Sequence, residues 1–471
     1  MSTIPTPIHD LRTAFAAFEI SPASAETMEV ENISAIYRIP NEILCEIFTL
    51  TYMRRVGDYI DEEVPWRLGH ICRVWRAAAL GYPSLWSSIT LDISLDSEGQ
   101  IGHACPPLMV ETQLLRSGTA PLHVAFYTRF STIVELCHSR SFDLILDQCF
   151  RWETVLLRLD QIRDSLLGNR LRAVKGKVSM LRHLQLIDCH KDIIGDTFSI
   201  APSLREIVLT PDDGPQTSSL DPTTPLPWSQ IIKFRGSYLQ SEDCVTVLNA
   251  GWSLVECGIL SPSPHSSNGS HVVLPCLVRL AIFGNILNAV TAPSLRELWI
   301  SGNTSGTTPP PLLDFIRRSS CQLEKLVIYA CSSPAAFIPV LQAIPTLKTL
   351  FVVFAQTTAS GYASGYTDQQ TLFDALKMRD STADLCPRLI HIAAGGPPAF
   401  AIDLFLDMVQ SRPTLSFIRA FYSEEFPERL KRATDSAVVW INEKRSEGLD
   451  VALAEWLSPL SRQNYMGMGR P

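Results

Sequence analysis

Cysteine and histidine, the side chains best suited to hold a transition metal, stand close together at three places in this 471-residue chain. These places are His103 with Cys105, Cys137 with His138, and Cys189 with His190. A structural zinc ion needs four such ligands in a tetrahedron, usually supplied as two spaced pairs. None of the twelve cysteines belongs to a Cys-x-x-Cys pair, and the three places are far apart in the sequence. We therefore expect no metal site, and a structural role for Cys189.

The sequence also lacks the motifs that hold phosphates or activate nucleophiles. It contains no G-x-x-x-x-G-K-[ST], no G-x-G-x-x-G after a strand, no H-E-x-x-H and no G-x-S-x-G. The Gly/Ser-rich stretch 360–365 has the wrong order for a nucleophile elbow and falls in a segment, 356–370, that we predict to be a loop. We expect no catalytic residues and no cofactor, and hence a protein that is not an enzyme.

Composition narrows the class of protein further. Hydrophobic residues make up 46% of the chain and charged residues 19%, which predicts a well-packed protein rather than a disordered one. The net charge is -8 without a basic tract, so neither nucleic acid nor a membrane surface is an expected partner. No apolar run reaches the ~18 residues of a membrane span. The start of the chain lacks a secretory signal pattern and the cysteines are scattered, which indicates the cytoplasm or nucleus.

Two short amphipathic helices are expected near the N-terminus. The first follows Pro40 and has apolar residues at 43, 44, 47 and 48, the spacing of one helical stripe. The second begins at Pro65, ends near Gly81 and is expected to carry Leu68, Ile71, Cys72 and Trp75 on one face. A polar insertion, 54–63, separates the two helices. Such short helices cannot bury both stripes against each other, so something else must cover them.

Beyond the second helix the chain repeats a leucine pattern, L-x-x-L-x-L-x-x-[N/C]. Full copies begin at Leu181, Leu277, Leu295 and Leu323, and weaker copies at Leu204, Ile231, Leu254, Leu347, Leu389 and Leu415. Most neighbouring copies lie roughly 20–29 residues apart, the period of leucine-rich repeats. The pattern predicts an α/β solenoid with a parallel sheet on its concave face and helices, such as 311–319 and 335–344, on its convex face. The ninth residue, Asn or Cys, is expected to bond the backbone where each strand turns.

The residues of the first helical pair resemble the F-box, and F-box proteins of fungi in particular. The resemblance rests on Ile39-Pro40-x-Glu42-Ile43-Leu44-x-x-Ile47-Phe48, then Ile71-Cys72-Arg73-x-Trp75-Arg76, then Pro83-x-Leu85-Trp86. Two departures are Ile39 where leucine is usual and a longer spacing between Pro40 and Trp75, caused by the 54–63 insertion. Together with the repeats, the pattern is similar to that of F-box proteins with C-terminal leucine-rich repeats.

This resemblance implies a partner, the adaptor subunit of SCF-type ubiquitin ligases, and through it a cullin. The residues it assigns to the adaptor contact are Ile39, Pro40, Ile43, Leu44, Ile47, Phe48 and Val74. Trp75 is expected instead to be an internal residue that locks the two helices together. The alternative is that these helices only cap the N-terminal edge of the solenoid, a role that every such array requires.

A target-binding surface is expected on the concave sheet. Residues third, fifth and seventh from the first leucine of each copy should point away from the core. The third positions are mostly charged, and the fifth and seventh positions supply four aromatic candidates, namely Phe283, Trp299, Tyr329 and Phe351. Aromatic residues within a polar rim are typical of binding hot spots. Phe351 has a second interpretation, in which the segment 356–370 folds back and covers it.

The resulting hypothesis has four segments and one function. We expect a weakly ordered arm at 1–35, an F-box-like helical domain at 36–90, an irregular leucine-rich-repeat solenoid at 91–425, and a helical cap and tail at 426–471. The function expected is that of a non-catalytic substrate receptor of an SCF-type ligase, with the repeats holding an unknown target protein. The alternative is a ligase-independent repeat scaffold for protein interactions.

Overall fold

The computed structural model describes most of the chain. The described residues are 39–52, 64–95, 101–103, 106–128, 139–159, 165–210, 224–237, 241–260, 271–283, 286–301, 309–354, 362–378, 384–396, 401–422, 439, 442–444, 446 and 450–455. The expected N-terminal arm, the 54–63 insertion, and the Asn285 and Asn303 turn positions lie outside these residues. The described part divides into two compact units, 1–82 and 83–471.

In the first unit the described residues form three short helices. They are α1 (Asn41–Tyr52), α2 (Val64–Ile71) and α3 (Arg73–Leu80). The prediction of a single second helix is therefore wrong, because the helical backbone is interrupted at Cys72. Cys72 has extended backbone angles, and its Sγ accepts a hydrogen bond from the backbone N–H of Trp75 at 3.4 Å. The thiol thus caps α3. On α2, before the interruption, Leu68 is buried and Ile71 is exposed.

The second unit begins at Pro83, earlier than the boundary at 90 that the sequence suggested. A 3-10 helix, Pro83–Trp86, leads into the first strand, and its Leu85 and Trp86 are buried. The first strand starts at Ser88 and pairs in parallel with the strand that starts at Leu122. The segment 83–95 therefore belongs to the sheet rather than to the helical unit.

Fifteen strands of the described residues form one sheet in the second unit. In chain order they are β1 (Ser88–Leu95), β2 (Ile101–His103), β3 (Leu122–Thr128), β4 (Trp152–Arg158), β5 (His183–Ile187), β6 (Glu206–Thr210), β7 (Lys233–Ser237), β8 (Glu256–Leu260), β10 (Arg279–Phe283), β12 (Glu297–Ser301), β13 (Lys325–Cys331), β14 (Thr349–Phe354), β15 (His391–Gly395), β16 (Phe417–Tyr422) and β17 (Asp450–Glu455). The short strands β9 (Val272–Val273) and β11 (Val290–Thr291) pair separately.

From β3 to β17 the strands of the large sheet follow one another in the order of the sequence, while β1 pairs with β3 and β2 lies outside β1 at the edge. All neighbours pair in parallel except β2, which is antiparallel to β1 at one end. Helices connect many of these strands: α4 (Pro107–Ser117), α5 (Arg140–Asp147), α6 (Ser165–Arg172), α7 (Lys191–Ile194), α8 (Ser241–Ala250), α9 (Pro309–Ser319), α10 (Ile338–Gln342), α11 (Tyr362–Leu376) and α12 (Ile402–Gln410). The predicted α/β class, with a parallel sheet and helices, is confirmed, and the strand order is consistent with a solenoid-like fold.

The core lies between the helices and the face of the sheet that carries the repeated leucines. In the copy that begins at Leu295, Leu298 and Ile300 are completely buried, and Leu280 and Leu326 flank Leu298 in register on the neighbouring strands. Side chains alternate across a strand, so the third, fifth and seventh positions of each copy lie on the opposite, outward face.

The ninth position of the first full copy has the structural role that the sequence suggested. Cys189 is buried, and its thiol donates to the backbone oxygens of Leu157 and Ile187, each at 3.3 Å. Asp188 just before it has a left-handed backbone, with a φ of 52°. The thiol therefore satisfies backbone oxygens at the point where the chain leaves the sheet.

Two arginines on the helix side of the sheet, the buried Arg412 and the exposed Arg318, bond to backbone oxygens of the preceding repeat. Arg412, after α12, is buried and donates to three backbone oxygens, those of Leu376, Leu385 and Cys386. Arg318 donates in the same way to Leu287 and Val290. Burial lowers the pKa of the Arg412 guanidinium from its ordinary value, but the group stays charged because arginine starts so high. Each guanidinium thus adds hydrogen bonds that tie it to the backbone of the preceding repeat.

Residues 362–370 of the segment 356–370 are not the loop that its Ser/Gly-rich composition predicted. Helix α11 starts at Tyr362 and continues to Leu376. The ring of Phe373 lies 6.0 Å from that of Phe354 and 5.7 Å from that of Phe405, centroid to centroid. The buried amide of Gln369 accepts a hydrogen bond from the backbone N–H of Ala401 at 3.0 Å. Three apolar residues at the C-terminal end of the helix, Leu372, Phe373 and Leu376, therefore anchor it in the core.

The expected helical cap at 426–471 is also wrong in part. Residues 439, 442–444 and 446 are helical, but 450–455 form the strand β17, parallel to β16. Val451 and Leu453 lie in register with Ile418 and Ala420, so they occupy the fourth and sixth positions of one more copy. Gly448 stands in the first position, where a leucine would have made the copy recognisable.

Candidate interaction surfaces

Helix α1 carries a row of exposed apolar side chains. Ile43, Ile47 and Leu50 are 51%, 40% and 69% exposed. Their spacing of four and three residues places them on one face of the helix. Leu44 and Phe48 lie on the other side and are completely buried. The first unit therefore has an internal apolar stripe and a separate exposed one, which we call the α1 face (Ile43, Ile47 and Leu50).

Two contacts hold α1 against the end of the helical unit. The rings of Phe48 and Trp75 lie 5.0 Å apart, centroid to centroid, with their planes inclined at 58°. The hydroxyls of Thr49 and Tyr82 are 3.3 Å apart, within hydrogen-bonding distance. These contacts fix the direction in which the α1 face points relative to α3. The position of Trp75 against Phe48 agrees with the internal role expected for it.

The structure divides the seven residues assigned to the adaptor contact by the sequence resemblance. Pro40, Ile43 and Ile47 are exposed, Ile39 and Val74 are half-buried, and Leu44 and Phe48 are interior. Sequence reasoning missed three exposed apolar residues, Leu50, Ile71 and Leu80. Leu50 continues the spacing of the α1 face and could have been found from it. Ile71 and Leu80 depend on the break at Cys72, which the pattern did not reveal.

The outward face of the large sheet carries a row of charges at the third positions of successive copies. This charge row consists of His183, Glu206, Lys233, Glu256, Arg279, Glu297 and Lys325, which lie in register on neighbouring strands. From Glu206 to Lys325 the sign alternates at every strand. Opposite charges on adjacent strands stabilise a sheet, and here three carboxylates face three cations.

The charge row is held by ion pairs between neighbouring strands. His183 Nδ1 lies 3.0 Å from Glu206 Oε2, Lys233 Nζ lies 3.4 Å from Glu256 Oε1, and Lys325 Nζ lies 3.8 Å from Glu297 Oε2. The guanidinium of Arg279 forms an ion pair with the same Glu256 oxygen. Chiefly through its hydrogen bond, His183 lowers the pKa of the Glu206 carboxyl from its ordinary value. The row is therefore largely satisfied within the protein.

The fifth positions form a second row beside the charges, and the side chains along this row differ sharply in size. Arg235, Gly258, Ala281 and Trp299 lie in register on β7, β8, β10 and β12. Gly258 and Ala281 are buried, whereas Arg235 and Trp299 are half-buried. Two adjacent strands thus present almost no side chain, with a guanidinium on one side and an indole on the other. We call this arrangement the recess.

Three of the four predicted aromatic residues have side chains that the structure describes, and these make two separate sets of contacts. Lys325 Nζ lies 4.7 Å from the centroid of the Trp299 ring, a cation–π contact. Tyr329 and Phe351, on β13 and β14, pack edge to face at 5.9 Å. Phe283 ends β10 in register with Leu260, but its side chain lies outside the described residues. Phe351 is half-buried, and α11, which includes residues 362–370, contacts β14 through the rings of Phe373 and Phe354.

In the part of the chain that the structure describes, the cysteine–histidine pairs are not arranged as metal ligands. Cys189 bonds the backbone, and His190 Nδ1 accepts from the backbone N–H of Asp192 at 3.3 Å, as a helix cap. Cys105, Cys137 and His138 lie outside the described residues. Within the described ranges no three His, Cys, Asp or Glu side chains come close enough to hold a metal ion. No helix among them is long and apolar enough to cross a membrane.

Comparison of the chain with models of known protein families and with curated protein sequences finds no significant match to either.

Proposed function

We propose that the chain is a non-catalytic substrate receptor of an SCF-type ubiquitin ligase, in which the helical unit binds the adaptor and the repeat unit binds a target protein. The observation that carries this proposal is the α1 face. Three apolar side chains at helical spacing stand exposed on a helix whose sequence resembles the F-box. An exposed apolar stripe on a short helix is the kind of surface that a partner groove covers.

We also propose that residues 83–455 form irregular leucine-rich repeats. This proposal is supported by the leucine pattern, by the buried fourth and sixth positions, and by the strands that follow one another in chain order from β3 onward. Such a unit presents a long outward sheet face and needs no reactive side chain. Holding a target close to a ubiquitin-charged enzyme raises its effective concentration, which is where the rate gain of a receptor comes from.

The double change Ile43→Asp with Ile47→Asp tests the adaptor contact. Both side chains are exposed, so the variant should keep its fold, while two carboxylates on the α1 face cannot be desolvated in an apolar groove. We expect binding to the purified adaptor subunit to fall by at least about a hundredfold, as for the loss of two central contacts. The measurement is a pull-down followed by titration calorimetry, with circular dichroism as the check of folding.

The matched control is Leu108→Asp with Leu115→Asp, two exposed leucines on α4 of the repeat unit. This control should bind the adaptor like the unchanged chain. Undiminished binding by the Ile43/Ile47 variant would remove the α1 face from the contact. Absence of adaptor binding by the unchanged chain would favour the alternative, a repeat scaffold that works without a ligase.

A further inference from the structure

We infer that a cleft between α5 and α6 binds a free α-amino acid with a large apolar side chain. Asp147 receives the ammonium group of this ligand, and Lys177 receives its carboxylate. The cleft involves neither the α1 face nor the outward face of the sheet. The inference therefore goes beyond the proposed function and does not depend on it.

The first argument is an open cavity of about 550 Å³ among the helices of the second unit. Helix α5 supplies one wall, and α6 with the turns that follow it supplies the other; the 3-10 helix Cys149–Arg151 contributes its first two residues. Asp147, Phe150 and Lys177 line the cavity and are exposed, so a ligand can reach it from the solvent. The volume lies within the roughly 300–1,000 Å³ of small-molecule sites.

The second argument is the apolar part of the lining. Leu146, Cys149 and Val174 are buried side chains that border the cavity. Phe150 borders it too, and this residue is 51% exposed. A large apolar side chain of a ligand would cover the exposed part of the Phe150 ring, and the removal of both surfaces from water favours binding.

Most polar side chains of the lining already have partners within the protein. Asp143 forms an ion pair with Arg170. The side-chain oxygen of Asn169 accepts a hydrogen bond from Arg172 Nη1 at 2.8 Å. These groups form part of the walls and leave little bonding capacity for a ligand.

The third argument is the pair of opposite charges that remains, Asp147 and Lys177. Within the described residues neither side chain makes a hydrogen bond or an ion pair. Burial raises the pKa of the Cys149 thiol, the field of Lys177 opposes this rise, and the field of Asp147 adds to it. Both charges therefore lie near the same thiol, one on each wall, without pairing with each other.

This arrangement selects a class of ligand. A ligand with one charge would leave either the carboxylate or the ammonium group of the cleft unmatched, and an internal segment of a peptide brings neither terminal charge. A free amino acid carries both charges beside one carbon atom, so it complements both walls at once. Asp147 also ends α5, where the helix dipole adds to the attraction for an ammonium group.

The test is isothermal titration calorimetry of the purified full chain with phenylalanine, leucine and tryptophan. Three further probes each lack one feature of phenylalanine: phenylalaninamide lacks the carboxylate, N-acetylphenylalanine lacks the ammonium group, and alanine lacks the large side chain. We expect phenylalanine to bind about tenfold or more tightly than each of these three, since every feature contributes a separate contact.

Two variants assign the charges to their partners. Lys177→Gln should weaken phenylalanine by about tenfold and abolish its advantage over phenylalaninamide, while its advantage over N-acetylphenylalanine remains. Asp147→Asn should do the reverse. The matched controls are Lys191→Gln in α7 and Asp314→Asn in α9, which replace exposed side chains outside the cleft. Both controls should bind phenylalanine like the unchanged chain.

Melting curves confirm that the variants are folded, and if one is not, the three probes on the unchanged chain decide alone. The inference would be overturned if none of the three apolar amino acids bound at about 10 mM. It would also be overturned if phenylalaninamide, N-acetylphenylalanine or alanine bound as tightly as phenylalanine, or if folded variants kept every preference. The adaptor is absent from this titration, so neither result bears on the ligase role.

Discussion

Replacing Arg412 with methionine is expected to lower the free energy of unfolding by roughly 3–5 kcal/mol. The change leaves the buried backbone oxygens of Leu376 and Leu385 without the Arg412 donor, at about 1–3 kcal/mol each, and removes one of the two donors to the oxygen of Cys386, which keeps the N–H of Leu389. Part of this loss is recovered, because a buried cation no longer has to be desolvated. Urea unfolding followed by circular dichroism measures the total. Amide hydrogen exchange should show the loss first in α11 and β15, whose connection Arg412 holds.

Two further variants separate this role from a general effect of removing positive charge. Arg388→Met, at an exposed position, should change the stability by no more than about 0.5 kcal/mol. Arg412→Lys should fall between the two, since an ammonium group cannot reach three separated oxygens with the planar geometry of a guanidinium. An unfolding midpoint that Arg412→Met leaves unchanged would show that these oxygens find other donors.

Truncating Leu298 to alanine is expected to cost roughly 2–5 kcal/mol. Leu298 is fully buried in β12, in register with Leu280 on one side and Leu326 on the other, so a cavity would open in the middle of the core. Thermal or urea unfolding provides the value. Because each repeat is coupled mainly to its neighbours, the transition should also broaden as the central copies unfold before the ends.

The next residue along the chain is the control. Trp299 points to the outward face, so Trp299→Ala removes a cation–π contact worth about 0.5–1 kcal/mol and leaves the core intact. If Trp299→Ala proved more destabilising than Leu298→Ala, the assignment of the two faces would be reversed, since a shift of one residue exchanges the faces of a strand.

The leucine pattern is sufficient to predict the sheet, because three apolar positions per copy specify which face of each strand is buried. It fails where one copy lacks its first leucine, as at Gly448 before β17. It also fails at α11, because the Ser/Gly-rich start of this helix favours a loop, while the apolar residues that pack into the core come only at its end. The break at Cys72 was hidden for a different reason, since cysteine is rarely recognised as a helix cap.

The candidate surfaces could be predicted only in part from the chain. Helical spacing is local, so the sequence could place Ile43 and Ile47 on the adaptor-binding helix, but it put Leu44 and Phe48, which are buried, on the same stripe. The recess combines residues from four strands, and Arg235 and Trp299 at its two sides are 64 residues apart in the sequence. Their alignment depends on the pairing register of β7, β8, β10 and β12, which no single copy encodes. The charges at the third positions were expected from the repeat pattern, whereas the ion pairs between them depend on the pairing of the strands.

The order of the strands has a consequence for synthesis on the ribosome. Each strand from β3 onward pairs with one that has already emerged, so the sheet can grow copy by copy as the chain leaves the exit tunnel. At about 5–20 residues per second, a new copy would become available every one to five seconds. The growing end of the sheet always exposes the outer edge of its last strand. The unpaired backbone groups of this edge can pair with a strand of another chain. A nascent chain that stalls after β14 would therefore keep its folded repeats and expose a strand edge that is prone to aggregation. The need for chaperones should be highest at such pauses.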